Sequence, residues 1–273
     1  MAPDETTTIA DPDDPRLDDY RRLNEQAARR RIERDEFFIT EGYVAIDRLI
    51  ESGHTIRSVV LAPSRVERFR PHLGALADRS VPVFVAERDV IASAIGFDLH
   101  RGVLASADRR DHPSVENVAA STRRVAVLEG LNDAENLGAI ARAARALGIE
   151  AFVTDPTCTD PYSRRTVRVS MGEVLTLPIA TTTADRWPSV LDVLHGHGFE
   201  TWAMTPAADA DDLWALDVPE RVAVVFGAEG PGLDARTVAA ADRRVRIPIS
   251  ADVDSLNVGH AAAITFAAIG RPR

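Results

Sequence analysis

Asn136 and Arg142 lie in the run Asn136-Leu137-Gly138-Ala139-Ile140-Ala141-Arg142, a spacing that puts an amide at a helix start and a cation less than two turns further on. A guanidinium is permanently protonated, so it holds a phosphate or a developing alkoxide better than it removes a proton. Further along, Phe226-Gly227-Ala228-Glu229-Gly230-Pro231-Gly232-Leu233 sets a carboxylate among glycines directly after an apolar strand, where a charge does little for the fold. A third stretch carries Ile247-Pro248-Ile249 and then Ser255-Leu256-Asn257-Val258, adding a hydroxyl and a second amide. Each feature has an ordinary alternative. Arg142 and Glu229 also read as solvated charges, the glycines as a tight connection, Ile247, Ile249 and Leu256 as core, and Ser255 as a helix cap.

Other chemistries fit poorly. The glycines at 227, 230 and 232 do not have the Gly-x-Gly-x-x-Gly spacing that brings backbone amides to a pyrophosphate, which counts against a nicotinamide-dependent enzyme. The lone Cys158 can form no internal disulfide and no cysteine-paired zinc site, and it reads as a buried or idle thiol. The His195-Gly196-His197 pair has no carboxylate or cysteine at ligand spacing, so no metal is expected.

The elements that must carry these residues alternate between strand and helix periods. Residues 1–20 are acidic and proline-interrupted, and are expected to be a disordered tail; Arg21 to Arg34 reads as a helix. From Phe37 to about Arg110 the pattern predicts strands at 37–39, 58–61, 81–85 and 102–105, with helices at 43–50, 66–76 and 89–95, a small α/β sandwich. Residues 112–123 read as a linker. Beyond them strands are expected at 124–128, 151–154, 176–180, 201–204, 222–226 and 245–249, with helices at 137–147, 164–174, 188–194, 235–241 and 256–269. That alternation implies an α/β domain with a mainly parallel sheet covered on both faces. The expected division is therefore 21–111 as one domain and 124–273 as the other.

A 45% hydrophobic content is enough for two real cores, and no apolar run reaches the ~18 residues of a membrane helix. The acidic N-terminus lacks the apolar segment of a secretory signal, so the expected location is the cytoplasm. A net charge of −10 argues at first against a polyanionic partner. Local patches meet the partner, however, and arginines cluster as Arg29-Arg30-Arg31, Arg109-Arg110, Arg123-Arg124 and Arg164-Arg165 with Arg168. All 32 basic residues are arginine, the better phosphate fork and base-stacking partner, although genomic nucleotide bias would give the same result.

The three runs, in this order and spacing, resemble the signature motifs of the SpoU-type (TrmH-like) RNA ribose methyltransferases of the SPOUT superfamily. The resemblance implies transfer of a methyl group from S-adenosylmethionine to a ribose 2′-hydroxyl of structured RNA, with ribosomal RNA, 23S above all, ahead of transfer RNA. A non-catalytic RNA-binding or assembly factor of the same fold is the alternative. It implies Arg142 at the acceptor ribose, as or assisting the general base, with Asn136, Glu229, Ser255 and Asn257 in the polar network. The donor would lie on Thr205, Gly227, Ile247, Ile249 and Leu256, with Gly227 leaving room against the backbone. Arg145, Arg164, Arg165 and Arg168 would face RNA. The resemblance also implies a deep trefoil knot, a homodimer, and a front domain, with Glu41-Gly42 after its first strand, like that of small RNA-binding ribosomal proteins. Two departures stand out: Asp133-Ala134 where the family commonly has Asp-Pro, and Gly259-His260 where Ser commonly follows Asn-Val. His260 is then either a packed helix residue or an added polar group near the site.

Overall fold

The computed structural model describes residues 6–25, 29, 33, 36–99, 102–250 and 252–270. In its first part the elements are β1 (Thr7–Ile9), β2 (Phe37–Glu41), α1 (Tyr43–Ser52), β3 (Ile56–Leu61), α2 (Val66–Ala77), β4 (Val83–Ala86), α3 (Arg88–Ile95) and β5 (Val103–Asp108). Then follow α4 (Val115–Ser121), β6 (Arg124–Leu128), α5 (Ala134–Ala146), β7 (Ala151–Thr154), α6 (Arg164–Val169), β8 (Ile179–Thr181) and α7 (Val190–Gly196). The chain closes with β9 (Glu200–Met204), β10 (Asp211–Asp212), β11 (Val222–Phe226), α8 (Ala235–Ala240), β12 (Arg243–Arg246) and α9 (Val258–Ile269).

These elements form two compact units: the described residues of 1–110 with 162–176, and those of 111–161 with 177–273. The first unit holds a mixed sheet in the order β1-β4-β3-β5-β2, with β5 antiparallel to β2 and β3. Two of its helices end where glycine accepts a left-handed conformation, Gly53 after α1 and Gly96 after α3. The second holds a seven-stranded sheet in the order β10-β12-β9-β11-β6-β7-β8, parallel at every pairing. All five residues of β11 are buried, as a strand covered on both faces requires. Because β11 enters between β6 and β9, the loops leaving β9, β11 and β12 emerge side by side at the C-terminal edge, where open α/β sheets bind ligands.

Several expectations need correction. Residues 7–20 are not a disordered tail: β1 pairs with β4, and a 3₁₀ helix over Pro15–Tyr20 buries Leu17 and Tyr20. The Tyr20 hydroxyl donates to the Ser58 carbonyl at 2.8 Å and accepts from the Ser106 amide at 3.1 Å. Isolated apolar residues among aspartates leave no period to read, yet each fills a core position, and Asp14 and Asp19 are engaged by Arg16 and Arg57. The expected linker 112–123 contains α4, capped by Ser114 and packed into the second core through Val115, Val118 and Ala119. Segment 162–176 clusters with the first unit, so the second domain is not one continuous run from 124. The last strand ends at Arg246, which puts Ile247 and Ile249 in the loop beyond it. The expected helix at 21–34 begins as a turn at 21–24, and much of it, with Arg30 and Arg31, lies outside the described residues. No described helix is long and apolar enough to cross a membrane.

Candidate active site

After Phe226 the chain turns back on itself. The Ala228 carbonyl accepts from the Gly232 amide at 3.0 Å, and Glu229 is exposed on this loop. The turn itself demands glycine at 227, since a β-carbon there would stand 2.3 Å from the Gly232 carbonyl carbon and 2.4 Å from the Leu233 nitrogen. Gly227 also lines the adjoining cavity. Glu129 at the end of β6 clamps the far side of the loop: one carboxylate oxygen accepts from the Asp234 amide at 3.0 Å, and the other is buried without a partner. The sequence reading missed Glu129, whose only sign is an acid directly following an apolar strand.

The neighbouring strand ends complete a cavity of about 380 Å³. β9 delivers Met204 and Thr205, whose amide donates to the Val245 carbonyl at 2.9 Å. Ile247 and Ile249 line it from the loop after β12, and Ser255, Leu256 and Asn257 from the segment entering α9. All five expected donor residues, Thr205, Gly227, Ile247, Ile249 and Leu256, therefore share one cavity with Glu229, Ser255 and Asn257. Phe226, Pro206 and Ala261 were not anticipated; each is next to, or one helical turn from, a residue that was.

Asn257 ties the three motifs together. As the N-cap of α9, its side-chain oxygen accepts from the amides of Gly259 at 2.9 Å and His260 at 3.2 Å. Its side-chain nitrogen donates to Asn136 Oδ1 at 2.9 Å and to Glu229 Oε1 at 2.5 Å. Both hydrogens and both acceptor positions of this amide are therefore used. Asn136 does not cap α5, as its place in the sequence suggested. Asp133 does so, accepting from the Glu135 amide at 2.7 Å, while Asn136 sits inside the first turn, only 9% exposed, and reaches across to Asn257.

Arg142 is exposed on α5, off the face that packs Leu137, Ile140 and Ala144. Among the described residues no hydrogen bond or ion pair engages its guanidinium, and it is not part of the cavity lining. Arg145 is also exposed, in the last turn of the same helix. Arg164, Arg165 and Arg168 belong to α6 in the first unit. Arg164 is not the free cation expected there: it pairs with the buried Glu41 at 3.0 Å and lies over the Phe97 ring at 4.8 Å. Burial draws its guanidinium below the ordinary range, with Glu41 opposing. Arg165 is exposed and Arg168 half-buried.

Cys158 is partly buried against the Leu128 carbonyl, and burial pushes its thiol well above the usual range, away from nucleophilic use. His195 does have a carboxylate partner, contrary to the sequence reading, because folding brings Asp242 to 3.0 Å from its Nε2. Thr201 joins that pair at the N-terminal end of β9, the end of the sheet opposite the cavity.

Residues 123–267 match the SpoU rRNA Methylase family. An uncharacterized tRNA/rRNA methyltransferase of Mycobacterium tuberculosis is 44% identical over 262 residues, covering 94% of this chain and 89% of that protein. The chain belongs to the SpoU rRNA Methylase family. The 23S rRNA (guanosine-2′-O-)-methyltransferase RlmB of Nitrosomonas europaea is 31% identical over 230 residues, 82% of this chain and 87% of that protein. Among solved structures, the AdoMet-bound rRNA methyltransferase from Sinorhizobium meliloti superposes with a TM-score of 0.80 at 25% identity, covering 97% of each chain. As a SpoU methylase, the enzyme uses S-adenosylmethionine as its cofactor. The cavity fits that molecule: its volume falls in the roughly 300–1,000 Å³ range of small-molecule sites, and its walls combine apolar side chains with strand-end backbone groups.

Proposed function

We propose that this enzyme methylates a ribose 2′-hydroxyl of 23S ribosomal RNA in the cytoplasm. The observation that carries the proposal is the Asn136-Asn257-Glu229 network at the edge of the cavity formed by Thr205, Gly227, Ile247, Ile249 and Leu256. It joins all three motifs at a single point, beside a space suited to the donor. The likeness to RlmB favours the 2′-hydroxyl and 23S rRNA over other acceptors.

When bound, S-adenosylmethionine supplies a methyl group activated by its sulfonium. Leu256, Ile247 and Ile249 hold the apolar part of that molecule and exclude water, while backbone groups at Thr205 and Gly227 fix its polar edges. Glu229, held by Asn257, and the Ser255 hydroxyl orient the acceptor. Arg142 holds the 2′-hydroxyl and the adjacent phosphate and stabilises the negative charge that grows on the ribose oxygen as its proton passes to water. Alignment and charge stabilisation then supply most of the rate enhancement. Arg145, Arg165 and Arg168 contact the RNA backbone, and the first unit is its binding domain.

The same proposal includes a homodimer and the knotted threading of the family. α9 supports the dimer: its sequence is apolar almost throughout, and Ala267 is exposed on it. A helix apolar all round is normally covered.

The test is calorimetric titration with S-adenosylmethionine followed by transfer of labelled methyl to purified rRNA and tRNA. Heat on titration and alkali-resistant label in 23S rRNA are expected. Label in tRNA alone would move the substrate to the second reading, and a protein that binds no donor would remove the proposal.

A further inference from the structure

The first unit carries one arginine-aromatic pair unlike the others among the described residues. Arg68 on α2 lies over the Tyr43 ring at 4.2 Å. Elsewhere among the described residues, arginines over rings are also held by acids or carbonyls. Arg57 over Phe37 pairs with Asp19, Arg164 over Phe97 with Glu41, and Arg221 over Phe199 donates to the Thr122 carbonyl. Arg68 is exposed and has no such partner among the described residues. Its neighbour Glu67 is taken up by Arg70 at 2.7 Å.

The surroundings fix this pair in place. Tyr43, half-buried at the start of α1, packs against the fully buried Phe69 at 6.4 Å between centroids, and Phe69 stacks on His72, which Asp47 holds. Val44 beside it is 43% exposed. Arg65, one turn before Arg68, lies across the backbone at Gly102, where a β-carbon would come within 2.7 Å of its Nε. No ion pair holds Arg65 among the described residues either. Two cations without counter-ions among the described residues, Arg68 exposed and Arg65 half-buried, thus flank a rigidly backed, half-buried ring whose hydroxyl lies 3.5 Å from the Arg65 carbonyl, in a chain with net charge −10.

From this geometry we infer that Tyr43 and Arg68 form a stacking platform for an unpaired nucleotide of the RNA substrate, with Arg65 on its phosphate. A guanidinium plane laid on a ring presents a flat, cationic face, which suits a nucleobase and an adjacent phosphate together. A base inside a duplex cannot reach such a face, so the platform selects loops and bulges. An acidic peptide would use the charges but not the ring. The inference rests on the RNA-methylating reading above and adds which feature of the RNA the first unit grips.

The test uses the full chain. Fluorescence anisotropy would measure binding of a labelled single-stranded oligouridylate and of a blunt RNA duplex of equal length, with S-adenosylmethionine titration and methyl transfer to rRNA run alongside. Arg68→Ala and Tyr43→Ala are each expected to weaken the single strand about tenfold, the effect of losing one stacked base, and to leave duplex and donor binding unchanged. Tyr43→Phe keeps the ring and should bind as the wild type does. Arg68→Lys keeps the charge and should retain the salt dependence while losing affinity. Wild-type methylation of rRNA with single-strand binding unaffected by Arg68→Ala and Tyr43→Ala would overturn the platform alone, as would equal losses for strand and duplex, or tighter binding of polyglutamate than of RNA. A wild-type protein that neither binds donor nor methylates RNA would instead overturn the reading beneath it.

Discussion

At the residue scale, the decisive group is the amide of Asn257. Its oxygen caps a helix and its nitrogen bridges two motifs, so substitutions can separate the two duties. Asn257→Asp keeps a good cap but turns an acceptor toward Glu229 and the Asn136 oxygen. It should retain most of the folding stability while weakening donor binding by about 1–3 kcal/mol, the usual cost of an unmet or repelled polar group. Asn257→Ala should lose about 1 kcal/mol of stability from the cap as well. Urea denaturation and calorimetry on the two variants separate these effects. Arg142 behaves in the opposite way. Because no described residue engages its side chain, Arg142→Ala should change stability by no more than about 0.5 kcal/mol and leave donor binding intact. Methyl transfer should fall about 100-fold or more, as when a charge-stabilising donor is removed. A single-turnover assay with saturating donor measures it, and an undiminished rate would show that the acceptor does not use this cation.

At the scale of elements, the site depends on loops that leave parallel strands and fold back on their own backbone. Gly227→Ala brings a methyl group into the Gly232-Leu233 backbone, so the loop carrying Glu229 has to open. Overpacking of this kind costs about 1–3 kcal/mol. Since the strain falls on a surface loop beside the cavity, the expected loss is larger for donor affinity than for global stability. Equal losses in calorimetry and in thermal unfolding would mean that β11 itself is distorted. Glu129, which accepts from the Asp234 amide at the end of this loop, acts in the same direction by holding the loop closed.

At the scale of the whole molecule, the sheet has a chemical end and a structural end. The cavity occupies the C-terminal edge, whereas His195, Thr201 and Asp242 join α7, β9 and the chain entering β12 at the other. Partial burial pushes the Asp242 carboxyl up, but the Thr201 amide and hydroxyl and His195 outweigh it, and the group ends below its ordinary range. A carboxyl lowered in the folded state contributes stability that is complete above its ordinary pKa of 3.8 and is lost as pH falls through the lowered native value. Asp242→Asn should therefore be less stable than the wild type at pH 6 to 7, with the difference shrinking toward pH 3. Urea midpoints across that range check this prediction. Donor affinity at neutral pH should not change, since the cluster lies at the far end of the sheet.

The class of sheet, most strand and helix positions and eight of the residues that line the cavity were readable from the chain alone. Apolar periods fix which segments are buried, and chemistry-bearing residues stand out where strands give way to loops. Thr205, Gly227, Ile247, Ile249 and Leu256 were named through the resemblance of the three motifs, without knowing which strands are neighbours. Which residues meet was settled by folding. That Asn257 bridges Asn136 and Glu229, that Arg164 is taken up by Glu41, and that His195 finds Asp242 are long-range pairings, and no local pattern encodes a partner tens of residues away. The tail and the linker were misread for a related reason. Ile9, Leu17 and Tyr20 are scattered among polar residues, and Val115, Val118 and Ala119 span only two turns, so only the cores that receive them make strand, turn and helix favourable there.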